Sequence, residues 1–125
     1  MRVTQLHPNM TKDEVPSVAP RGAPFSIEVT SGKRAVTVRV AGELDAANAP
    51  ELGNVLLTSG HGGRQVLLDL DETSFIDSAG IRILVRSMWD LQATGSQLRL
   101  VEVSPMAENI LRITGILDVL KDQTP

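Results

Sequence analysis

A chain of 125 residues has room for one domain with a buried core. Hydrophobic residues make up 42% and aromatics 2%, so Leu, Ile, Val and Ala carry the packing, and the absence of cysteine excludes disulfides, thiol catalysis and Cys-based metal sites. The net charge is −3, Lys and Arg are scattered, and with two Phe, one Trp and no Tyr there is no basic groove with stacking aromatics to hold a nucleic acid.

The opening MRVTQLHPNM lacks the apolar core of a signal peptide, and no apolar run approaches the roughly 20 residues that cross a bilayer. The expectation is a cytoplasmic protein whose partners are neither nucleic acid nor membrane. Residues 1–22, rich in Pro and polar side chains and without periodicity, read as a flexible tail, with one domain over 23–125. His7 and His61 fall in that tail and in a loop, which leaves no zinc site and no metal.

FSIEVT puts Phe25, Ile27 and Val29 on one face, and AVTVRV does the same for Val36, Val38 and Val40; joined at Ser31-Gly32, they predict a hairpin. After Gly42-Glu43-Leu44-Asp45, Asn48 with Glu51 resembles a capping box. Pro50 suits a first turn, and Leu52, Val55 and Leu56 form a helical stripe that Gly53 weakens. QVLLDL is a continuous apolar run, as in a strand covered on both faces.

From Ser78, the positions Ile81, Leu84, Val85, Met88 and Leu91 recur at helical spacing up to Gly95. QLRLVEV predicts a further strand. Ser104-Pro105 opens a third helix with Met106, Ile110, Leu111 and Ile113 inward, stopped near Gly115. ILDVL is a last short element, helix or strand. The expected fold is α/β: a small mixed sheet, an N-terminal hairpin followed by parallel strands, covered by helices through right-handed crossovers.

The chemistry concentrates between Val66 and Val85, where Asp69, Asp71, Glu72 and Asp77 alternate with Thr73, Ser74 and Ser78. Asp69-x-Asp71-x-Thr73 after a strand matches the nucleophile motif of haloacid-dehalogenase-type phosphatases. That chemistry also needs a downstream lysine and a later acidic pair. Only Lys121 follows, and Glu102, Glu108 and Asp118 form no close pair. A receiver-like domain phosphorylated on Asp69 or Asp71 is the alternative, but it needs an acidic pair after the first strand to hold magnesium, where this chain has Thr30-Ser31-Gly32.

The third reading places the chemistry on Ser78. Here Thr73 to Asp77 is a loop whose Phe75 and Ile76 tuck under the sheet edge, Ser78 caps the following helix, and its hydroxyl stands at a helix mouth. A phosphate there gains roughly 0.3–1 kcal/mol from the helix dipole, against repulsion from Asp77 and Asp45. Thr73 and Ser74 are turn residues and lesser phosphosite candidates. Trp89 borders the apolar stripe and reads as core packing.

Two motifs carry a family resemblance. Gly42-Glu43-Leu44-Asp45 with Ala49-Pro50-Glu51-Leu52, and Phe75-Ile76-Asp77-Ser78-Ala79-Gly80-Ile81, together resemble the STAS-domain anti-sigma factor antagonists over about Phe25 to Leu120. The resemblance implies a non-enzymatic, STAS-like single domain with no catalytic residue and no cofactor of its own. Unphosphorylated, such a protein binds an anti-sigma factor that is also a serine kinase, and a sigma factor is released. The kinase consumes the ATP and a separate serine phosphatase removes the phosphate.

Carried onto this sequence, Ser78 is the phosphoacceptor, and Asp45, Asp77, Ser78, Ala79, Gly80 and Arg82 face the partner. Asp45 is equally suited to capping its own loop. Ala79 replaces a second Ser or Thr of many relatives, which leaves Ser78 as the single acceptor of that pair, and Arg82 stands where relatives often have a small residue.

Overall fold

Period-two alternation builds the first two strands. In the computed structural model, which describes residues 24–121, β1 (Ser26–Ser31) and β2 (Ala35–Leu44) pair antiparallel. The tail expected over residues 1–22 lies outside the described residues. Gly32 N–H closes the hairpin on the Ala35 carbonyl at 2.8 Å. Ile27 lies opposite Val40 and Val29 opposite Val38, so the expected apolar faces coincide.

Next come α1 (Ala49–Ser59), a single 3₁₀ turn at His61–Gly63, β3 (Gln65–Ile76), α2 (Ser78–Ala93) and β4 (Leu98–Val103). The described residues end with α3 (Pro105–Thr114) and α4 (Leu117–Lys121), so ILDVL is helical from Leu117. Strands follow in the order β1-β2-β3-β4, with β2–β3 and β3–β4 parallel. Both crossovers step in the same direction along the sheet, and α1 and α2 pack together, as connections of one hand require. Leu44, Leu52, Leu56, Leu68, Leu70, Leu84, Leu91 and Leu98 fill the space between them and the sheet.

Among the described residues the cover of QVLLDL is one-sided, which corrects the expectation for it. Val66, Leu68 and Leu70 are fully buried, while Leu67 and Asp69 between them are half-buried. Asp69 there meets Arg39, whose Nε lies 3.7 Å from Asp69 Oδ2 and whose Nη2 lies 3.5 Å from Glu72 Oε2.

β3 also runs six residues past the end expected for it, and two bulges explain why the sequence disguises this. Between Arg39–Asp69 and Ala41–Glu72, β3 advances one residue more than β2, and it does so again between Gly42–Thr73 and Glu43–Phe75. The first slip moves Thr73 to the core side and the second returns Ile76 to it, so the alternation of side chains breaks and resumes. Thr73 is 1% exposed and donates its hydroxyl to the Val40 carbonyl at 2.8 Å; Ser74 is 5% exposed. Neither is a turn residue, and neither is accessible to a kinase.

Helix ends obey local rules with one exception. Ser104 Oγ accepts Ala107 N–H at 3.1 Å, Pro105 opens α3, and Gly115 ends it at φ +84°. Asn48 and Glu51 do not form a capping box: the Asn48 side chain makes no cap bond to α1. The inward stripe of α3 is Ala107 and Leu111 with Ile110, whereas Met106 is exposed and Ile113 is 75% exposed. Three-and-four spacing from Ala107 reaches Ile110 and Leu111 but turns Met106 and Ile113 outward. Among the described residues, no helix is long and apolar enough to cross a membrane.

Candidate functional site

Strand register brings the site together. Leu44 pairs with Ile76, and Asp77 N–H donates to the Leu44 carbonyl at 3.0 Å. The carboxyl ends of β2 and β3 are thereby fastened side by side, and the chain leaves them at Asp45 and Asp77.

Asp77 is the cap of α2. Its backbone is extended (φ −93°, ψ −176°) and Oδ1 accepts Gly80 N–H at 2.9 Å. This corrects the assignment of that role to Ser78, which is instead the first helical residue. A carboxylate one residue earlier reaches the third amide of the helix, so the serine has no capping to do. Ser78 is exposed, and no hydrogen bond among the described residues engages its hydroxyl.

Gly80 is buried where the helix mouth meets both strands. A Cβ there would lie 2.7 Å from Ile76 Cγ2, 2.9 Å from Leu44 Cγ and 3.0 Å from the Leu44 carbonyl oxygen. Overpacking of this kind costs about 1–3 kcal/mol, partly offset by alanine's better helix propensity of up to about 1 kcal/mol. Gly80→Ala should therefore lose about 1–2 kcal/mol in urea unfolding. A variant as stable as the parent would contradict the close approach.

Asp45 holds its own loop. Oδ1 accepts Ala47 N–H at 3.0 Å and Asn48 N–H at 3.2 Å. Asn48 returns the favour, its Oδ1 accepting Asp45 N–H at 2.9 Å and its Nδ2 donating to the Glu43 carbonyl at 2.9 Å. This reciprocal pair fixes the β2–α1 turn beside Asp77. Sequence reasoning missed the part of Asn48, because its spacing to Glu51 pointed to the wrong partner.

Beside Ser78 runs an apolar groove between the two helices. Ala49 and Pro50 of α1 line one wall; Ala79, Ile83 and Trp89 of α2 line the other, with Arg82 and Arg86 at the rim. Gly53 lets the helices close, since a Cβ there would lie 2.8 Å from Ile83 Cδ1. Trp89 is 64% exposed, which corrects its reading as core. Arg86 Nε sits 3.7 Å from Asp90 Oδ2, whereas Arg82 is exposed with no ion pair among the described residues.

The remaining acids do not assemble a phosphotransfer centre. Asp69 Oδ1 accepts Asp71 N–H at 2.9 Å while its other oxygen faces Arg39, and Asp71 is exposed. Among the described residues, no three His, Cys, Asp or Glu side chains stand where they could share a metal ion. The strand order β1-β2-β3-β4 also departs from the 2-1-3-4-5 order of receiver-type sheets.

The model of the STAS domain matches residues 26–124 of this chain. An anti-sigma-B factor antagonist of Staphylococcus aureus (strain NCTC 8325 / PS 47) is 31% identical over 97 residues, covering 77% of this chain and 90% of that protein. Among solved structures, an anti-sigma factor antagonist from Mycobacterium paratuberculosis superposes with a TM-score of 0.69 at 22% identity, over 86% of this chain and 91% of that one. SpoIIAA, another anti-sigma factor antagonist, superposes in its unphosphorylated form with a TM-score of 0.65 at 21% identity, over 80% and 89% of the two chains. The phosphorylated Bacillus SpoIIAA gives 0.59 at 22% identity, over 82% and 92%. At these identities the structures share the fold: a hairpin, then parallel strands, backed by helices.

Proposed function

Because this chain belongs to the STAS domain family, we propose that it is an anti-sigma factor antagonist whose docking is switched by phosphate on Ser78. Its partner is an anti-sigma factor that is also a serine kinase. The unmodified protein binds that kinase and a sigma factor is released; phosphate ends the contact, and a serine phosphatase restores it. The chain acts as substrate and ligand and performs no catalysis itself. Among its relatives, SpoIIAA is known in both phosphorylated and unphosphorylated forms.

One observation supports this reading above the others. The Ser78 hydroxyl is exposed at the mouth of α2, relieved of capping by Asp77 and adjacent to an apolar groove. In the transfer, Ser78 Oγ bonds to the γ-phosphorus of the kinase's ATP, ADP leaves, and the hydroxyl proton passes to a base on the kinase. The groove suits the kinase better than a second copy of this chain. A two-fold pairing across it would bring Arg82 and Arg86 of both copies together, and like charges at a contact are unfavourable.

Ser78→Ala is expected to take up no label from the kinase and radiolabelled ATP while still binding the kinase. The label on the parent should survive acid and mild base that hydrolyse an acyl phosphate, which separates Ser78 from Asp69 and Asp71. Label on Ser78→Ala would overturn the assignment.

A further inference from the structure

We propose that Arg82 is the residue that reads the phosphate on Ser78, folding back to hold it and so leaving the rim of the groove. The inference rests on Ser78 as the modified residue. Ser78 and Arg82 stand four residues apart within α2, so their side chains share one face with Cβ atoms about 5–6 Å apart. Helical side chains lean toward the N-terminus, which tips the Arg82 stem toward Ser78 rather than away from it. Arg82 is exposed and unpaired among the described residues, whereas Arg86, one turn on, already faces Asp90.

Among the described residues, Arg82 is the cation that α2 sets on the same face as Ser78, and the nearest acids leave it an opposing role. Asp77 lies next to Ser78 and Asp45 on the neighbouring turn, both carboxylates that repel a dianion. A guanidinium presents two parallel N–H donors that match two phosphate oxygens. In the unmodified protein Arg82 is exposed among the residues that line the groove, free for a carboxylate of the kinase. Phosphorylation thus adds charge at Ser78 and withdraws a cation from the docking face in one event.

The test uses the full chain with phosphoserine installed at position 78 during translation, followed by ³¹P NMR over pH. A nearby cation favours the dianion and lowers the second pKa of the phosphate, which is about 6 in free phosphoserine. Arg82→Gln should raise that pKa by about 0.2–0.4 units relative to the parent, the range of a helical pair four residues apart. Arg82→Lys should recover part of the difference, and 1 M NaCl should remove most of it. Superimposable curves for the parent and Arg82→Gln would overturn the proposal. Since no kinase is used, that failure would leave the phosphoacceptor assignment standing, and absence of kinase labelling would leave the titration valid.

Discussion

Phosphorylation of Ser78 is expected to weaken the complex with the anti-sigma factor kinase about a thousandfold while leaving the fold intact. Phosphoserine adds about −1.5 to −2 charges at neutral pH. Pressing such an anion into an interface where the partner offers no cation costs several kcal/mol, because desolvation exceeds the attraction of one exposed arginine on its own helix. About 4 kcal/mol converts a micromolar complex to a millimolar one. Within the domain itself the sums are small. Ser78 is exposed in the first turn, where the helix dipole contributes roughly 0.3–1 kcal/mol in favour of the phosphate, and Asp77 and Asp45 oppose it. Calorimetric titration of modified and unmodified protein should show the loss of affinity, with Tm values within about 5 °C of each other. A loss below tenfold would show that the partner docks elsewhere. Ser78→Glu, with one charge in place of nearly two, should give a smaller loss.

Gly42→Ala should be among the most damaging single substitutions, although the residue touches neither Ser78 nor the groove. Gly42 has φ +87°, which costs an L-residue roughly 1–2 kcal/mol. A Cβ would also lie 2.7 Å from the Pro24 carbonyl oxygen, 2.9 Å from Phe25 Cα and 3.0 Å from Phe25 N. All three are backbone, so no rotamer change relieves the clash, and overpacking adds about 1–3 kcal/mol. The total of about 2–5 kcal/mol corresponds to a fall in Tm of at least about 10 °C for a domain of this size. Gly95→Ala is the control: its φ is +85°, yet nothing lies within 4 Å of the added carbon. It should show the conformational cost alone. Equal losses for the two variants would refute the packing component.

The position of Gly42 links stability to the site. It pairs with Thr73 between the two bulges of β3, two residues before the Leu44–Ile76 pair that fastens Asp45 next to Asp77. Displacing the chain at Pro24 and Phe25 strains the strand that carries the β2–α1 turn. Loss of kinase binding in Gly42→Ala should therefore track the unfolded fraction, with affinity near that of the parent at temperatures where the variant is folded.

By itself the sequence determined whatever depends on near neighbours in the chain. Alternation in FSIEVT and AVTVRV set the hairpin and its faces, helical spacing from Ile81 to Leu91 set α2, and Ser104-Pro105 with Gly115 set both ends of α3. The GELD and DSAG segments marked the two turns that meet at the site. Competition between neighbours, and what lies across space, were decided only by the tertiary structure. Asp77 rather than Ser78 caps α2, because an extended backbone aims the carboxylate at Gly80 N–H. Asn48 bonds Asp45 and Glu43 instead of α1, and the bulges hide the second half of β3 by breaking its period. Trp89 is 64% exposed although it borders an apolar stripe, because it lies on the outer side of α2 along the groove shared with α1, with none of the described residues covering it fully. Local periods are written in the chain; exposure is a property of the layers, and it is exposure that leaves Ser78 and its groove open to a partner.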